Sequence, residues 1–411
     1  MRAVQKLAGI LLFVEVLYIW LSHSRGPQPL SAVHYLLLTR YVAGKAREGA
    51  GGVWYIPPDW IADTADYPSD IIEAAELVQN RTALSQTGPF LSYSSIPLVG
   101  HQKWKNTNPS TWSETLRRGT EKWLQYAQDD GAAYFLWDDD GVAQFIEHFE
   151  PDLRGLFYTF PNKAEQSDVF RVLLAKWIGG IYADMDTEPL RTTSDWITAS
   201  DLEPWSDSDT GIVYNSTEPI KATVGLRAVC PPTSDMYWRM GYAYPIQLTQ
   251  WAFAFRPGHP ILRVFLDNLV ATMEEIAGRH GGDLLSVPAQ KELGYFDPLE
   301  LTGPAAFTIA VRQWLESVSG LRWEALGTDS ELSMYPAISF MWVGLIGTCS
   351  PGRGWYGNMG SKPVMDPSAR LAHHAQGSWR TTSLAVEYGK FCRTVFGLCR
   401  DWSKVPHNLL W

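Results

Sequence analysis

The stretch Ser167 to Leu190, SDVFRVLLAKWIGGIYADMDTEPL, changes its hydrophobic period halfway along. Up to Trp177 the apolar residues Val169, Leu173, Leu174 and Trp177 recur at three- and four-residue steps, the spacing of an amphipathic helix. Asp168 and Arg171, three apart, share one face of it. Gly179 and Gly180 end the helix and permit a tight bend. Beyond them the period is two: Ile181, Ala183 and Met185 fall on one side of a strand, Tyr182, Asp184 and Asp186 on the other. The bend therefore delivers two carboxylates at a strand end, about 7 Å apart along the backbone.

Two carboxylates so placed, with no Cys or His between them, form a hard-oxygen site suited to Mn²⁺ or Mg²⁺, ions commonly shared with substrate phosphates. A bare Asp-x-Asp is also compatible with two solvated acids at a strand terminus. The context of Asp168/Arg171, double glycine and aromatic residue favours the site.

The flanking segments carry the same alternation. Ile96 to Trp104 reads as a strand, Trp112 to Ala127 as a helix ended by Gly131, and Tyr134 to Trp137 as a second strand followed at once by Asp138, Asp139 and Asp140. Phe145 to Phe149 opens more helix. Strand, helix, strand, helix, helix, strand is the rhythm of an α/β sheet. Ligands of such sheets gather at the carboxyl ends of strands, so Asp138–Asp140 and Asp184/Asp186 are expected to border one cleft.

At 411 residues the chain exceeds one minimal core and implies a large domain with appendages, or two domains. A net charge of −10 without a long basic run argues against nucleic acid as a partner. The four cysteines, Cys230, Cys349, Cys392 and Cys399, match no zinc spacing; Cys392 and Cys399 are near enough in sequence to close a small loop, and free thiols are the alternative. Leu7 to Leu21 is apolar and follows Arg2 and Lys6, which predicts an uncleaved signal anchor, with a cleaved signal peptide as the competing reading. Residues 23–90, broken by Gly49, Gly51, Gly52 and Pro57-Pro58, read as a partly ordered stem, with a short helix over Ile71 to Val78.

Taken in order, these residues resemble glycosyltransferase family 32, and within it the mannosyltransferase branch. The motifs are Ile96-Pro with His101-Gln102-Lys103-Trp104, Leu136-Trp137-Asp138-Asp139, Ser167-Asp168-x-x-Arg171, and Gly179-Gly180-Ile181-Tyr182-x-Asp184-x-Asp186. Gln250-Trp251-Ala252-Phe253, Arg256-Pro-Gly-His-Pro260, Leu301-Thr302-Gly303-Pro304, and His373 with Gly377-Ser378-Trp379 follow. The resemblance covers roughly Ile96 to Trp379, and Gly100, Lys103, the region Gly281 to Pro298 and that after Ala337 depart from it.

It implies a nucleotide-sugar transferase domain of the GT-A, Rossmann-like kind over 91–380, preceded by a cytosolic tail (1–6), an anchor (7–22) and a stem (23–90), and followed by an extension (381–411). It implies GDP-mannose as donor, Mn²⁺ (or Mg²⁺) as cofactor, and transfer with retention to O6 of a mannose in an N-glycan core, in a type II membrane protein with its catalytic domain in the Golgi lumen. By the same resemblance Asp184, Asp186 and His373 hold the metal, Asp184, Asp186, Arg171 and Asp168 form the catalytic group, and Tyr182, Asp138, Asp139, Gly180, Ser378 and Trp379 contact the donor. An inositol-phosphoceramide mannosyltransferase, a glycan-binding relative without catalysis, and a metal-free hydrolase using Asp138–Asp140 are the alternatives.

Overall fold

The computed structural model describes residues 35–62, 67–83, 88–199, 204–206, 211, 213–214, 219–229, 234–319, 343–349, 369–376 and 384–399. In chain order the elements that matter to the site are β1 (Gly52–Tyr55), α1 (Ile71–Ala83), β2 (Val99–Lys103), α2 (Glu114–Asp129), β3 (Ala133–Trp137), α3 (Asp139–Phe149), α4 (Lys163–Trp177), β4 (Gly180–Ala183) and β5 (Thr187–Pro189). There follow β6 (Ala222–Val229), β7 (Ile246–Phe255), α5 (Pro260–Arg279), α6 (Pro304–Ser319), β8 (Val343–Cys349), β9 (Ala369–His373) and α7 (Leu384–Phe396).

Among the described residues these strands form one mixed nine-stranded sheet, ordered β1-β3-β2-β4-β7-β6-β8-β9-β5. Its β3-β2-β4 part is parallel, with Lys103 beside Trp137 and His101 beside Tyr182. β7 runs antiparallel to β4, and β6 antiparallel to β7. A short turn separates β4, in mid-sheet, from β5, on the far edge, so the β8-β9-β5 end bends back to the carboxyl end of β4.

The period of two after the diglycine holds. Tyr182 packs with Val99, Phe135 and Val169, while Ile181, Ala183 and Met185 pack with Trp123, Tyr134 and Leu136 on the opposite face. The acids themselves lie past the last strand residue, on a turn rather than on the strand, because β4 ends at Ala183.

α4 differs from the amphipathic helix expected. Val169 through Ala175 are all buried, Arg171 among them, because the helix lies between the sheet and α5. It starts at a capping box, in which the Asn162 side chain accepts from Glu165 N–H and Glu165 reaches back to Asn162 N–H. It stops where Gly179 takes φ 72°; a Cβ there would lie 2.5 Å from Pro257 Cδ.

The sheet begins upstream of the boundary expected at residue 91. β1 pairs with Tyr134 to Trp137 of β3, and α1 adds Ile71, Ile72, Ala74, Ala75 and Val78 to the core that holds Phe135, Trp137 and Phe170. Two of the glycines that suggested a stem are closely packed: a Cβ on Gly52 would lie 2.2 Å from the Leu136 carbonyl oxygen, and one on Gly51 2.6 Å from Gln144 Oε1. The expected anchor, residues 7–22, lies outside the described residues, and among the described residues no helix is long and apolar enough to cross a membrane. α7 is tied at its end by a Cys392–Cys399 disulfide, the small loop anticipated from spacing.

Candidate active site

The Asp-Met-Asp segment forms a turn, closed by the Thr187 N–H donating to the Asp184 carbonyl at 3.1 Å. The same carbonyl also accepts from Thr187 Oγ1 at 2.6 Å and from Gln102 Nε2 at 3.2 Å. On the strand side the Asp184 N–H donates to the Trp251 carbonyl at 2.8 Å. Trp251 belongs to a bulge in β7: between the pairs Val224–Phe253 and Leu226–Leu248, β6 supplies Gly225 while β7 supplies Thr249 to Ala252. Such bulges re-aim side chains, and here one sets Gln250 and Trp251 beside Asp184.

β9 runs antiparallel to β5 with His373 opposite Thr187, so its last residue arrives next to Asp186. His373 Nε2 lies 3.3 Å from Asp186 Oδ1, and one ligand atom each of Asp184, Asp186 and His373 fall within 4.8 Å of one another. The imidazole stacks on Trp251, ring centres 4.3 Å apart and planes 13° apart. The Gln376 N–H donates to Asp186 Oδ2 at 2.8 Å. One residue on, His374 meets Glu188, which also pairs with Arg118 and Lys122 of α2. The His374 hydrogen bond is the largest influence on Glu188; with the two cations it outweighs burial and holds the carboxyl at about 2.

Arg171 sits behind Asp184, at 3.1 Å from Asp184 Oδ1 and 3.0 Å from Asp168 Oδ1. Its guanidinium lies 5.0 Å over the Tyr182 ring, whose hydroxyl donates to Asp184 Oδ1 at 2.9 Å. Arg171 also donates to the Gln250 carbonyl, and Thr302 Oγ1 donates to Asp168 at 3.2 Å. Burial pushes the Asp168 carboxyl up to about 6 against the pull of Arg171. Burial also raises Asp184, Arg171 again opposing. At Asp186 burial is outweighed by the His373 hydrogen bond and charge and by Gln376 N–H, so its carboxyl lies below the usual range. Four buried polar atoms around this cluster have no partner among the described residues: Arg171 Nε, Gln250 Oε1, Trp251 Nε1 and His373 Nδ1. Such groups are costly to bury unpaired, so a polar ligand suits the place. Two carboxylates and an imidazole are a donor set that fits a divalent ion of the Mn²⁺ type.

The other expected residues divide. Asp138 caps α3, accepting the Gly141 N–H at 2.9 Å, and Asp139 pairs with Lys103 at 2.8 Å. Both line a polar cleft of about 300 Å³ with Arg47, Lys105 and Asn106. That cleft lies at the carboxyl ends of β2 and β3, beside that of β4. Gly180 does not join the site. It is buried at the opposite end of β4, where a Cβ would lie 2.5 Å from the Val99 carbonyl oxygen; its φ of 88° and close packing explain the glycine. Tyr182 buttresses Asp184 from the core face. Ser378 and Trp379 lie outside the described residues. Gln102 and Thr302 stood in the family motifs, and Glu188 in the stretch around the acid pair, with no role assigned to any of them; Gln376 was not singled out.

Residues 113–203, which carry the turn and α4, match the family described as "Glycosyltransferase sugar-binding region containing DXD motif". The initiation-specific alpha-1,6-mannosyltransferase of Candida albicans (strain SC5314 / ATCC MYA-2876) is 30% identical over 319 residues, 73% of this chain and 76% of that one. The protein of that name from Saccharomyces cerevisiae (strain ATCC 204508 / S288c) is 30% identical over 212 residues, 47% of this chain and 43% of its own length. The solved PaToxG glycosyltransferase aligns at a TM-score of 0.31 and 16% identity over 80% of this chain and 94% of its own, a likeness too loose to define the fold. With the motif, the half-buried acid turn and a relative matched over three quarters of its length, the chain belongs to the DXD-containing glycosyltransferases of family 32.

Proposed function

We propose that this chain is a divalent-metal-dependent α-mannosyltransferase of the GT-A kind. It would take mannose from GDP-mannose and transfer it with retention to O6 of a mannose in an N-glycan core. It would act in the Golgi lumen, held by an N-terminal anchor. The observation that carries the reading is the convergence of Asp184, Asp186 and His373 at the carboxyl end of β4, in a chain whose relatives bear the mannosyltransferase name.

Transfer from a nucleotide sugar must stabilise a departing diphosphate. A bound Mn²⁺ supplies that charge stabilisation as a Lewis acid. Asp184, Asp186 and His373 would hold it. Arg171 keeps Asp184 in place and offsets the acids' charge, and with Asp168 it presents the floor on which a sugar's hydroxyls can be bound. The buried atoms left unpaired around Gln250 and Trp251 supply a donor and an acceptor for the same hydroxyls. The cleft lined by Asp138 and Asp139 suits the nucleoside.

The test is transfer of labelled mannose from GDP-mannose to a mannose-terminated acceptor, with and without Mn²⁺, alongside other nucleotide sugars. Asp186→Ala is expected to abolish transfer while the thermal melt stays cooperative. Normal turnover by that variant, or full activity in a chelator, would overturn the reading.

A further inference from the structure

Residue 119 is a glycine inside α2, where glycine weakens a helix relative to alanine. Its buried face meets the acid turn. A Cβ at that position would lie 2.4 Å from the Thr187 carbonyl oxygen and 3.4 Å from that of Met185. Backbone on the far side cannot swing away as a flexible side chain would, so a residue without a side chain is what lets the turn sit this deep on the helix. The surroundings complete the seat. Met185 is 2% exposed, with Thr120 Oγ1 3.8 Å from its sulfur, and the Trp123 indole N–H donates to Thr187 Oγ1 at 3.2 Å. From the other side Gln102 Nε2 reaches the Asp184 carbonyl, and Gln102 is itself fixed by the Tyr134 hydroxyl, which donates to its Oε1 at 2.7 Å. Gly278, inside α5, has nothing within 4 Å of its would-be Cβ.

We propose that Gly119 and Gln102 are positioning residues for cation binding: Gly119 sets the depth at which the Asp184–Thr187 turn seats on α2, and Gln102 locks the turn's carbonyl. Asp184 and Asp186 thereby meet His373 before any ligand arrives. The inference rests on the metal-dependent reading above. It concerns residues that touch neither metal nor sugar and act on the turn's backbone, Gly119 by having no side chain and Gln102 by its side-chain amide.

The test is Mn²⁺ binding to the full chain, followed by the loss of the free-ion paramagnetic signal, with no donor or acceptor present. Gly119→Ala is expected to weaken binding about tenfold or more, the scale of lost support around metal ligands. Gly278→Ala, the same chemical change at an open helix position, leaves affinity unchanged. Gln102→Met, close in size but without a donor, weakens binding about tenfold and carries the test if Gly119→Ala does not fold. Folded variants at both positions that bind Mn²⁺ like the parent chain overturn the inference alone. A parent chain that binds no Mn²⁺ overturns the metal reading, and the inference with it.

Discussion

At the scale of residues, the site depends on one guanidinium shared between two acids. Arg171 is buried and faces Asp168 on its own helix and Asp184 on the turn. Removing one partner from a buried charge pair costs about 3–5 kcal/mol, because the other charge is left unpaired. Arg171→Met is therefore expected to lower stability by about that much, measured by denaturant unfolding. Asp168→Asn in the same chain should recover part of the loss, and a double-mutant cycle reads the coupling. Strict additivity of the two changes would show that the pair does not act as a unit. The sequence made Asp168 and Arg171 legible as a pair through their spacing. It could not show that Asp184 is the third member, because that contact depends on how β4 pairs beside β7 and how the chain turns after Ala183. His373 was legible through resemblance alone, since nothing local in the sequence announces that β9 will lie against β5.

At the scale of elements, α4 shows where periodicity misleads. Its apolar positions fit a one-sided helix, yet from Asp168 to Ala175 every residue is buried, and the polar residues among them are part of buried networks. Glu165 is the clearest case: 1% exposed, in the capping box, with Asp168 one turn on. Burial, the largest influence, pushes its carboxyl up to about 8 from 4.5, the Asn162 N–H opposing and Asp168 and Asp297 reinforcing. The folded state thus holds this proton more tightly than the unfolded chain does. The associated stability is complete below about pH 4.5 and is lost as pH rises through about 8. Glu165→Gln keeps a side chain able to close the capping box and cannot ionise. Melting temperatures of parent and variant should converge at pH 5 and separate toward pH 8.5, the variant melting higher. Parallel curves across that range would show that Glu165 stays ionised in the fold.

At the scale of the molecule, the alternation of strands and helices was readable around the diglycine, and the nine-stranded order was not, because pairings such as β1 with β3 join segments with no shared local pattern. Residues before 91 are the sharpest instance. Glycine and proline made them look like a stem, yet Trp54, Ile71, Ile72 and Val78 are buried against Phe135, Trp137 and Phe170. Full burial of a side chain of this kind is worth about 1.5–3 kcal/mol, and a domain's net stability is only about 5–15 kcal/mol. Losing β1 and α1 together would exhaust it and would also uncover the β3 edge. The same segment supports the polar cleft beside the site, since the Asp138 N–H donates to the Gly51 carbonyl at 3.3 Å and Ala46 to Gly49 line the cleft beside Asp138. A chain beginning at residue 35 is accordingly expected to melt cooperatively and to keep transferase activity. One beginning at residue 91 is expected to aggregate or to melt without a transition, as read by circular dichroism and size-exclusion chromatography. A cooperative melt from the shorter chain would mean that β1 and α1 decorate the sheet rather than complete it.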